Sequence, residues 1–476
     1  MSTWGLTVTL TGYLLTLLLV PIVFLQTKKQ PESKLAWIMA IILLPFVGGV
    51  LFVVFGINRV ARRTARKVAA NEHIDKRLPE LSQYQLIPGE GYSPQIQRLI
   101  RLADRVADSR PSFGNRVEVL GDTNRTFGLI EQAILSAQHS IHLEYYIWQP
   151  DNTGTRLRDL LIARAREGIK VRFLFDGIGS LYLGKKFLRP MQAAGISVAT
   201  FLPGPSLLER WSVNLRNHRK IVIIDGQIGF TGGVNVGDEY RGRNRWFGYW
   251  RDAHLRLAGP VVLQLQRVFA EDWYFATGEA LTGSEWYPLP VEAGDQVAQS
   301  VSGGPDAKDD VFHPLFFAAL NEANEQILLT SSYFVPPPAL LAALETAAYR
   351  GVRVRLMLSG NRGYPWTYHA GRACYEALLD SGVEIYEYER GLLHSKTLAI
   401  DNVWSMVGTP NFDARSLYLN FEVAVIMFGP KVADQLQELF EEDVKDARRI
   451  DPATWGDRPL RAKLTEQFMR LFSPVL

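Results

Sequence analysis

Two stretches of the chain carry the same reactive side chains at the same spacing. Each has a histidine, a lysine two residues later, an aspartate five residues after the lysine, and an asparagine ten residues after the aspartate. The residues are His218, Lys220, Asp225 and Asn235 in the first stretch, and His394, Lys396, Asp401 and Asn411 in the second. Imidazoles suit acid–base or nucleophilic chemistry near neutral pH, while ammonium and amide groups stabilise negatively charged oxygens.

The repetition of this set argues against a merely structural role for its histidines. A single histidine in a strand is usually structural, so one match alone would be weak. Histidine and lysine two positions apart on a strand face the same side. Gly232, Gly233 and Gly408 also stand at matching positions and leave room for a close approach to the backbone. Two matched sets therefore indicate a chemical role that both share.

Turn-forming residues follow each histidine–lysine pair. Asp225-Gly226 and Asp401-Asn402 each predict a two-residue type I′ turn. In that register residue 220 lies opposite 231, 218 opposite 233, and 394 opposite 409, which returns each asparagine beside its own histidine and lysine. The two aspartates belong to the catalytic motif but lie at the turns, so we expect them to form the turn and fix neighbouring groups.

These stretches end the two copies of a longer internal repeat. The copies run from residue 130 to 235 and from 315 to 411, in the order helix, strand, helix, strand, short strand, hairpin. The runs KVRFLFD and RVRLMLS lack apolar–polar alternation, as is typical of strands buried on both faces. The repeat predicts an α/β fold of two similar lobes, 112–290 and 291–476. Each would be a mixed sheet flanked by helices, and pseudo-two-fold symmetry would relate them.

Residues 1–58 contain two apolar stretches without charge, joined by a short polar loop. They predict a transmembrane helical hairpin with spans of about 5–26 and 36–56. A cleaved signal peptide fits less well, because no basic leader precedes the first stretch. Five basic residues follow the second span, against three in the loop, which favours a cytoplasmic catalytic part. The basic residues either only set this topology or also attract anionic lipid headgroups.

Residues 59–111 are predicted to form a basic juxtamembrane segment and a connector, with a helix over Ser93–Ala107. The charge balance of 52 basic and 49 acidic residues gives +3, which does not favour nucleic acid as a partner. The single cysteine, Cys374, excludes an internal disulfide and a cysteine-rich zinc site. An aromatic group near the first hairpin is either an interfacial rim or ordinary core; it comprises Trp211, Trp246, Phe247, Tyr249 and Trp250.

The duplicated H-x-K-x4-D motif resembles that of the phospholipase D superfamily. Longer tracts resemble bacterial cardiolipin synthases of the phospholipase D type, and so does the N-terminal hairpin. These tracts are GGVNVGDEYRGRNRWFGYWRDAHLRLAGPVV (232–262), YYIW (145–148), SGGPD (302–306), SSYFVPPP (331–338) and GLLHSKTLAID (391–401). The second copy departs slightly, with Gly408-Thr409 where the first has two glycines.

The resemblance implies metal-free phosphodiester exchange without a cofactor. By family analogy His218 is the nucleophile and His394 the acid/base, although the near-symmetric copies do not decide between them. Lysines 220 and 396, with Asn235 and Asn411, would bind the phosphate oxygens. Asp252 and Glu422 resemble the family's histidine-orienting acids, and the alternative for both is a surface or salt-bridged carboxylate.

The resemblance also implies a transferase of the bacterial inner membrane with a multi-pass anchor. It would move a phosphatidyl group from one phosphatidylglycerol to another, giving cardiolipin and glycerol. Its partners would be phosphatidylglycerol and other anionic membrane lipids, with no nucleic acid, and homo-oligomer formation stays open. The alternatives are a phospholipase D-type hydrolase, a membrane-anchored nuclease and a non-catalytic membrane scaffold.

Overall fold

The computed structural model describes residues 11–14, 16–25, 31–44, 46–56, 84–85, 92–202, 215–307 and 310–472. In the N-terminal part it has helices α1 (Val20–Phe24), α2 (Pro31–Leu43) and α3 (Val47–Leu51), followed by a π-helical turn (Phe52–Gly56). Side chains from three of these elements, Val23, Ile41 and Phe52, pack together.

The predicted transmembrane hairpin is not found among these residues. Within the described ranges, each helix is too short, or not apolar enough, to traverse a bilayer. The helical runs are interrupted, because Pro21 lies in the first turn of α1 and Phe46, between α2 and α3, has a positive φ of 67°. The predicted spans, 5–26 and 36–56, also include residues outside the described ranges.

The rest of the described chain alternates strands and helices. In chain order the strands are β1 (Ser112–Leu120), β2 (Ser140–Tyr145), β3 (Lys170–Phe175), β4 (Ser197–Thr200), β5 (Arg216–Asn217), β6 (Lys220–Ile224), β7 (Ile228–Gly232), β8 (Tyr249–Arg251), β9 (His254–Ala258), β10 (Gln296–Gly303), β11 (Gln326–Ser331), β12 (Phe334–Val335), β13 (Arg353–Ser359), β14 (Glu384–Tyr388), β15 (Gly391–Leu393), β16 (Lys396–Ile400), β17 (Trp404–Gly408), β18 (Phe412–Asp413), β19 (Asn420–Phe428) and β20 (Ala447–Arg449).

The helices that follow the N-terminal part are α4 (Pro94–Val106), α5 (Thr123–Ser136), α6 (Asn152–Arg166), α7 (Lys185–Ala193), α8 (Val261–Thr277), α9 (Phe312–Glu322), α10 (Pro338–Tyr349), α11 (Pro365–Arg372), α12 (Tyr375–Asp380), α13 (Ala414–Tyr418), α14 (Pro430–Lys445), α15 (Pro452–Trp455) and α16 (Leu460–Arg470). The predicted connector helix is confirmed as α4, and the Ser93 hydroxyl caps it by accepting the Ile96 N–H.

The described strands form one 16-stranded mixed sheet and two small two-stranded sheets. Antiparallel pairing of β1 with β10 joins residues 112–290 (the first half) to residues 291–476 (the second half). Outward from β1 the strands are β9, β7, β6, β2, β3 and β4; outward from β10 they are β19, β17, β16, β11, β13 and β14, with β20 at the edge. The two halves therefore place their repeat copies in the same strand order.

The two strands with continuous apolar runs, β3 and β13, lie inside the sheet with a strand on each side. Strand β3 pairs in parallel with β2 and β4, and β13 pairs in parallel with β11 and β14. A central core combines Ile223 and Leu255 from the first half with Val425 from the second. Helix α8 contacts β10, and α14 contacts β1, so each half is covered partly by the other's helix.

The hairpin that follows each histidine–lysine pair has the predicted turn but not the predicted register. Asp225 and Gly226 both have positive φ, and the Gln227 N–H donates to the Ile224 carbonyl at 2.9 Å, which confirms the two-residue turn. The ladder, however, pairs Ile224 with Ile228 rather than with residue 227. One residue after the turn is left out of the ladder, and the second hairpin shows the same shift.

Candidate active site

His218 is held against the second half of the chain. It follows β5, which pairs in parallel with the start of β19. The His218 N–H donates to the Phe421 carbonyl at 2.9 Å, which places the ring beside the next residue, Glu422. The Nδ1 atom of His218 lies 2.9 Å from Oε2 of Glu422. A carboxylate from the second half therefore orients the imidazole of the first.

His394 has the reciprocal arrangement. It follows β15, which pairs in parallel with β8, and its N–H donates to the Arg251 carbonyl at 2.7 Å. The next residue, Asp252, places its Oδ2 atom 2.8 Å from Nδ1 of His394. The two carboxylates are thus exchanged between the halves. When Nδ1 of a neutral ring donates to a carboxylate, Nε2 carries the lone pair that chemistry requires.

Both imidazoles are buried, and burial dominates their acid–base behaviour. It lowers the pKa of His218 to about 4, although the negative charge of Glu422 opposes the shift. Burial, together with the nearby ammonium of Lys396, lowers the pKa of His394 to about 4, against the opposing effect of Asp252. Without a bound anion, both rings are neutral at pH 7.

The two lysines are buried beside the rings. Lys220 Nζ donates to the His218 carbonyl at 2.6 Å, and Lys396 Nζ donates to the His394 carbonyl. Burial lowers the pKa of Lys220 to about 7, with Glu422 opposing and Lys396 contributing to the shift. Burial likewise lowers the pKa of Lys396 to about 8, opposed mainly by Asp252. Charged groups from both halves shift the pKa of each lysine, so the two lysines and their charged neighbours lie in one cluster.

The two orienting carboxylates stay ionised inside the protein. Burial alone would raise the pKa of Glu422, but the charge and hydrogen bond of His218 and the charge of Lys220 bring it below its ordinary value. Asp252 behaves in the same way, with His394 and Lys396 outweighing its burial. The alternative of a surface carboxylate is excluded for both, because neither side chain is exposed.

The motif aspartates lie away from this cluster and bind backbone. The carboxylate of Asp225 accepts the N–H groups of Gln138, His139 and Ser140 at 2.7–2.8 Å. That of Asp401 accepts three successive N–H groups, from residues 324 to 326, also at 2.7–2.8 Å. Each aspartate ties its hairpin turn to the start of the neighbouring strand, β2 or β11, as expected from its position at the turn.

The two asparagines are buried but differ in their partners. Asn235 accepts the Ile147 N–H at 3.2 Å through Oδ1, and its Nδ2 donates to the Tyr240 hydroxyl at 3.4 Å. The side-chain oxygen of Asn411 has no hydrogen-bond partner among the described residues. The halves are therefore alike in their histidines and lysines and unlike in their asparagines.

Aromatic rings enclose the imidazoles. The Tyr146 ring lies 5.0 Å from that of His218, and the Trp250 ring lies 5.3 Å from that of His394, measured between centroids. The Tyr333 ring lies 6.3 Å from that of His394. The aromatic residues for which the sequence left open an interfacial rim or core packing differ from one another. Trp250 is buried in the core and Trp246 is 87% exposed, while Trp211 lies outside the described residues.

The sequence reasoning missed a buried arginine behind the site. Arg219 forms an ion pair with Asp272, and its Nε donates to the Glu422 carbonyl at 3.1 Å. Its Nη2 donates to the Gly303 carbonyl at 3.2 Å, so it joins both halves next to the orienting carboxylate. One available signal was an arginine between the motif histidine and lysine, just before the apolar run IVII. A second was the acidic pair Glu271-Asp272 within the largely buried helix α8.

Comparison with known proteins gives a family match to most of the two halves. A family model described as "Cardiolipin synthase, PLD-like domain" matches residues 130–273 and 316–444, and one described as "Phospholipase_D-nuclease N-terminal" matches 14–56. A cardiolipin synthase of Alkalihalophilus pseudofirmus is 35% identical over 98% of this chain and 93% of its own length. One of Geobacillus kaustophilus is 38% identical over 94% of this chain and 90% of its own.

A solved structure has the same fold. Phosphatidylserine synthase of Haemophilus influenzae superposes with a TM-score of 0.62, over 80% of this chain and all of that one. Its sequence identity of 13% limits the comparison to the fold. The α/β architecture described above is therefore shared with that solved structure. Among the described residues, no three histidine, cysteine or acidic side chains are grouped as a metal site would require.

Proposed function

The chain belongs to the phospholipase D-type cardiolipin synthase family, and from that premise we propose how its two halves make cardiolipin. It is a phosphatidyltransferase whose substrate is phosphatidylglycerol. The observation that carries the proposed mechanism is the exchange of orienting carboxylates, Glu422 to His218 and Asp252 to His394. Since each imidazole needs the opposite half for its orientation, the two rings work as one site.

In the first step Nε2 of His218 attacks the phosphorus of one phosphatidylglycerol. A phosphorus–nitrogen bond forms, the bond from phosphorus to the headgroup glycerol oxygen breaks, and His394 gives its proton to that oxygen as glycerol leaves. Glu422 stabilises the positive charge that develops on His218. Lys220 and Lys396, with Asn235 and Asn411, stabilise the negative charge on the phosphoryl oxygens.

In the second step a headgroup hydroxyl of another phosphatidylglycerol enters. It gives its proton to His394 and attacks phosphorus, and the phosphorus–nitrogen bond breaks to release cardiolipin. The products are then cardiolipin and glycerol, with both histidines restored. Water in place of the second lipid would give phosphatidic acid instead, so exclusion of water by the surrounding aromatic rings favours transfer.

The low pKa of His394 in the free protein fits this scheme. A bound phosphodiester brings a negative charge close to the ring, and this charge favours the imidazolium form. Substrate binding then supplies the charged acid only when a leaving group is in place. His218 stays neutral and nucleophilic until it attacks. This assignment of the two roles rests on the family resemblance.

The two halves are further proposed to be lobes related by a pseudo-two-fold axis. The same strand order on both sides of the β1–β10 pair supports this symmetry, as do the reciprocal histidine–carboxylate contacts. We also propose that residues 1–58 anchor the chain in the bacterial inner membrane as a multi-pass segment, with the catalytic part cytoplasmic. The charge-free stretches and the match of residues 14–56 to an N-terminal family model support that anchor.

A product analysis tests the proposed function. The purified full chain is incubated with phosphatidylglycerol alone, in lipid vesicles, and the products are identified by mass spectrometry. We expect cardiolipin and glycerol in equal amounts, and neither with His218→Ala. Phosphatidic acid as the sole lipid product would assign a hydrolase, and full synthase activity in His218→Ala would overturn the mechanism.

A further inference from the structure

The last described helix, α16, turns its apolar side chains toward solvent. Leu460, Leu464 and Phe468 are 70%, 61% and 56% exposed, and Leu471 just beyond the helix is 75% exposed. Residues four apart along a helix lie on the same face, so these side chains form one apolar row. We call them the α16 apolar row. An exposed row of this kind is unusual for a helix at the surface of a soluble domain.

The opposite face of α16 carries a buried charge. Glu466 is buried, and its carboxylate accepts from Arg372 Nε at 3.0 Å and from Arg458 Nη2 at 3.2 Å. A helix that packs on a protein core normally buries its leucines and exposes its carboxylates. Helix α16 does the reverse, because its buried side chain is the paired carboxylate of Glu466 and its exposed face is suited to hydrocarbon.

The charges of α16 indicate which hydrocarbon surface this face fits. The helix has three basic residues, Arg461, Lys463 and Arg470, and its single carboxylate is Glu466, already paired inside the protein. Arg461 and Lys463 are next to Leu460 and Leu464, so basic groups flank the apolar row. This pattern is typical of helices that lie in the plane of an anionic bilayer.

We propose that the α16 apolar row inserts into the headgroup–acyl boundary of a bilayer that contains anionic phospholipid. This contact is a second membrane attachment, separate from the N-terminal segment. The lipids under the helix would also be substrates, and this one point rests on the proposed function. A second copy of the chain is the competing occupant, and the experiment below separates the two.

The position of α16 links this attachment to the site. The helix packs on α11 through the Arg372–Glu466 pair and through Arg470, whose Nη1 donates to the Ala373 carbonyl at 3.5 Å. Tyr364, the residue before α11, has its ring 6.0 Å from that of Tyr333, which in turn faces His394. Seating α16 on a bilayer would therefore fix the side of the site lined by Tyr364 and Tyr333 near the lipids it must receive.

Fluorescence quenching tests the contact in the full chain. Cys374 is buried, so an environment-sensitive dye can be placed selectively at Leu464→Cys or Phe468→Cys. The control position is Glu438→Cys, exposed on the acidic helix α14. Each labelled chain is reconstituted in vesicles of phosphatidylglycerol and phosphatidylcholine, with and without lipid that carries a nitroxide near the top of its acyl chain.

We expect blue-shifted emission and at least about twofold quenching at 464 and 468, and no quenching at 438. An unquenched dye at 464, or equal quenching at all three positions, would overturn the proposal. A disulfide between two unlabelled Leu464→Cys chains, together with an unquenched dye on the labelled ones, would assign the row to a second copy instead. Because this readout needs no turnover, it stands or fails independently of synthase activity.

A matched activity comparison adds a functional readout. In the Leu464→Glu/Phe468→Glu variant, we expect the rate on phosphatidylglycerol vesicles to fall about tenfold. The rate on short-chain phosphatidylglycerol dissolved below its micelle concentration should stay within about twofold of the parent. An equal loss on both substrates would contradict a role in bilayer contact, and an unchanged vesicle rate would contradict it as well.

Discussion

Each imidazole of the site is held by a carboxylate from the opposite half of the chain. This exchange explains why neither half has a complete set of groups by itself. A histidine without its carboxylate would lose both its fixed tautomer and the stabilisation of its charged form. The residue scale therefore gives the sharpest tests of the proposed chemistry.

Removing one orienting charge should affect the histidine of the other half. In Glu422→Gln we expect kcat to fall about 100-fold or more, because a neutral amide cannot replace the carboxylate that stabilises the positive charge forming on His218. The measurement is the initial rate on phosphatidylglycerol vesicles. Combining the change with His218→Ala should cause little further loss. Additive losses in the double variant would show that the two residues do not act as a unit.

The buried lysines predict how activity depends on pH. Their ammonium groups have lowered pKa values of about 7 and about 8, so positive charge beside the phosphate is lost as the pH rises through this range. The imidazoles have pKa values of about 4 and become protonated below it. Because the transition state needs a protonated His394, we expect kcat/KM to fall below about pH 4, to decline above it, and to decline more steeply above about pH 7, where the lysine charges are also lost. A constant kcat/KM from pH 7 to 9, with protein and vesicles intact, would contradict this.

Removing a lysine should stabilise the protein while abolishing activity. Burial lowers the pKa of Lys396 in the folded state, so its charge opposes folding below about pH 8, and this penalty fades as the pH approaches the unfolded-state value. Lys396→Met should raise the unfolding temperature by several degrees at pH 7 and by less near pH 10. Exposed Lys431→Met is the control, with little change at either pH. A lower unfolding temperature for Lys396→Met would refute the assignment.

At the scale of elements, the hairpin turns depend on the motif aspartates. Asp225 accepts three successive backbone N–H groups, so removing its carboxylate costs three charge-assisted hydrogen bonds at the start of β2. Asp225→Ala should destabilise the fold by about 2–4 kcal/mol, measured by thermal unfolding in detergent. Asp159→Ala, on an exposed part of α6, is the matched control. Loss of turnover equal to that of His218→Ala without loss of stability would give Asp225 a chemical role.

The sequence predicts much of the order of helices and strands, and the features that it did not predict have physical explanations. The repeat order and the two-residue turns were readable because local propensity and chain order set them. The strand register was wrong by one residue, because an unpaired residue after the turn leaves no local signal. The pairing of Glu422 with His218 was also hidden, since 204 residues separate them in sequence and only tertiary contact joins them.

At the scale of the whole molecule, one sheet joins two halves that share a site. The β1–β10 pair makes the sheet continuous, and the parallel pairs β5–β19 and β8–β15 carry each histidine to the other half. The sequence predicted two similar lobes but not the way they are joined, because composition and periodicity do not record which sheet edges meet. Arg219, ion-paired with Asp272 inside the first half, adds buried hydrogen bonds across the same boundary to the carbonyls of Gly303 and Glu422.

The central claim is that both histidines act on one phosphorus atom through a covalent intermediate on His218. The most direct test uses His394→Gln with a phosphatidyl ester of p-nitrophenol, whose leaving group needs no acid. The account predicts one p-nitrophenol per chain, then arrest, and a phosphatidyl adduct on the peptide that contains His218. Release without an adduct, or an adduct on His394 in the reciprocal His218→Gln variant, would contradict it.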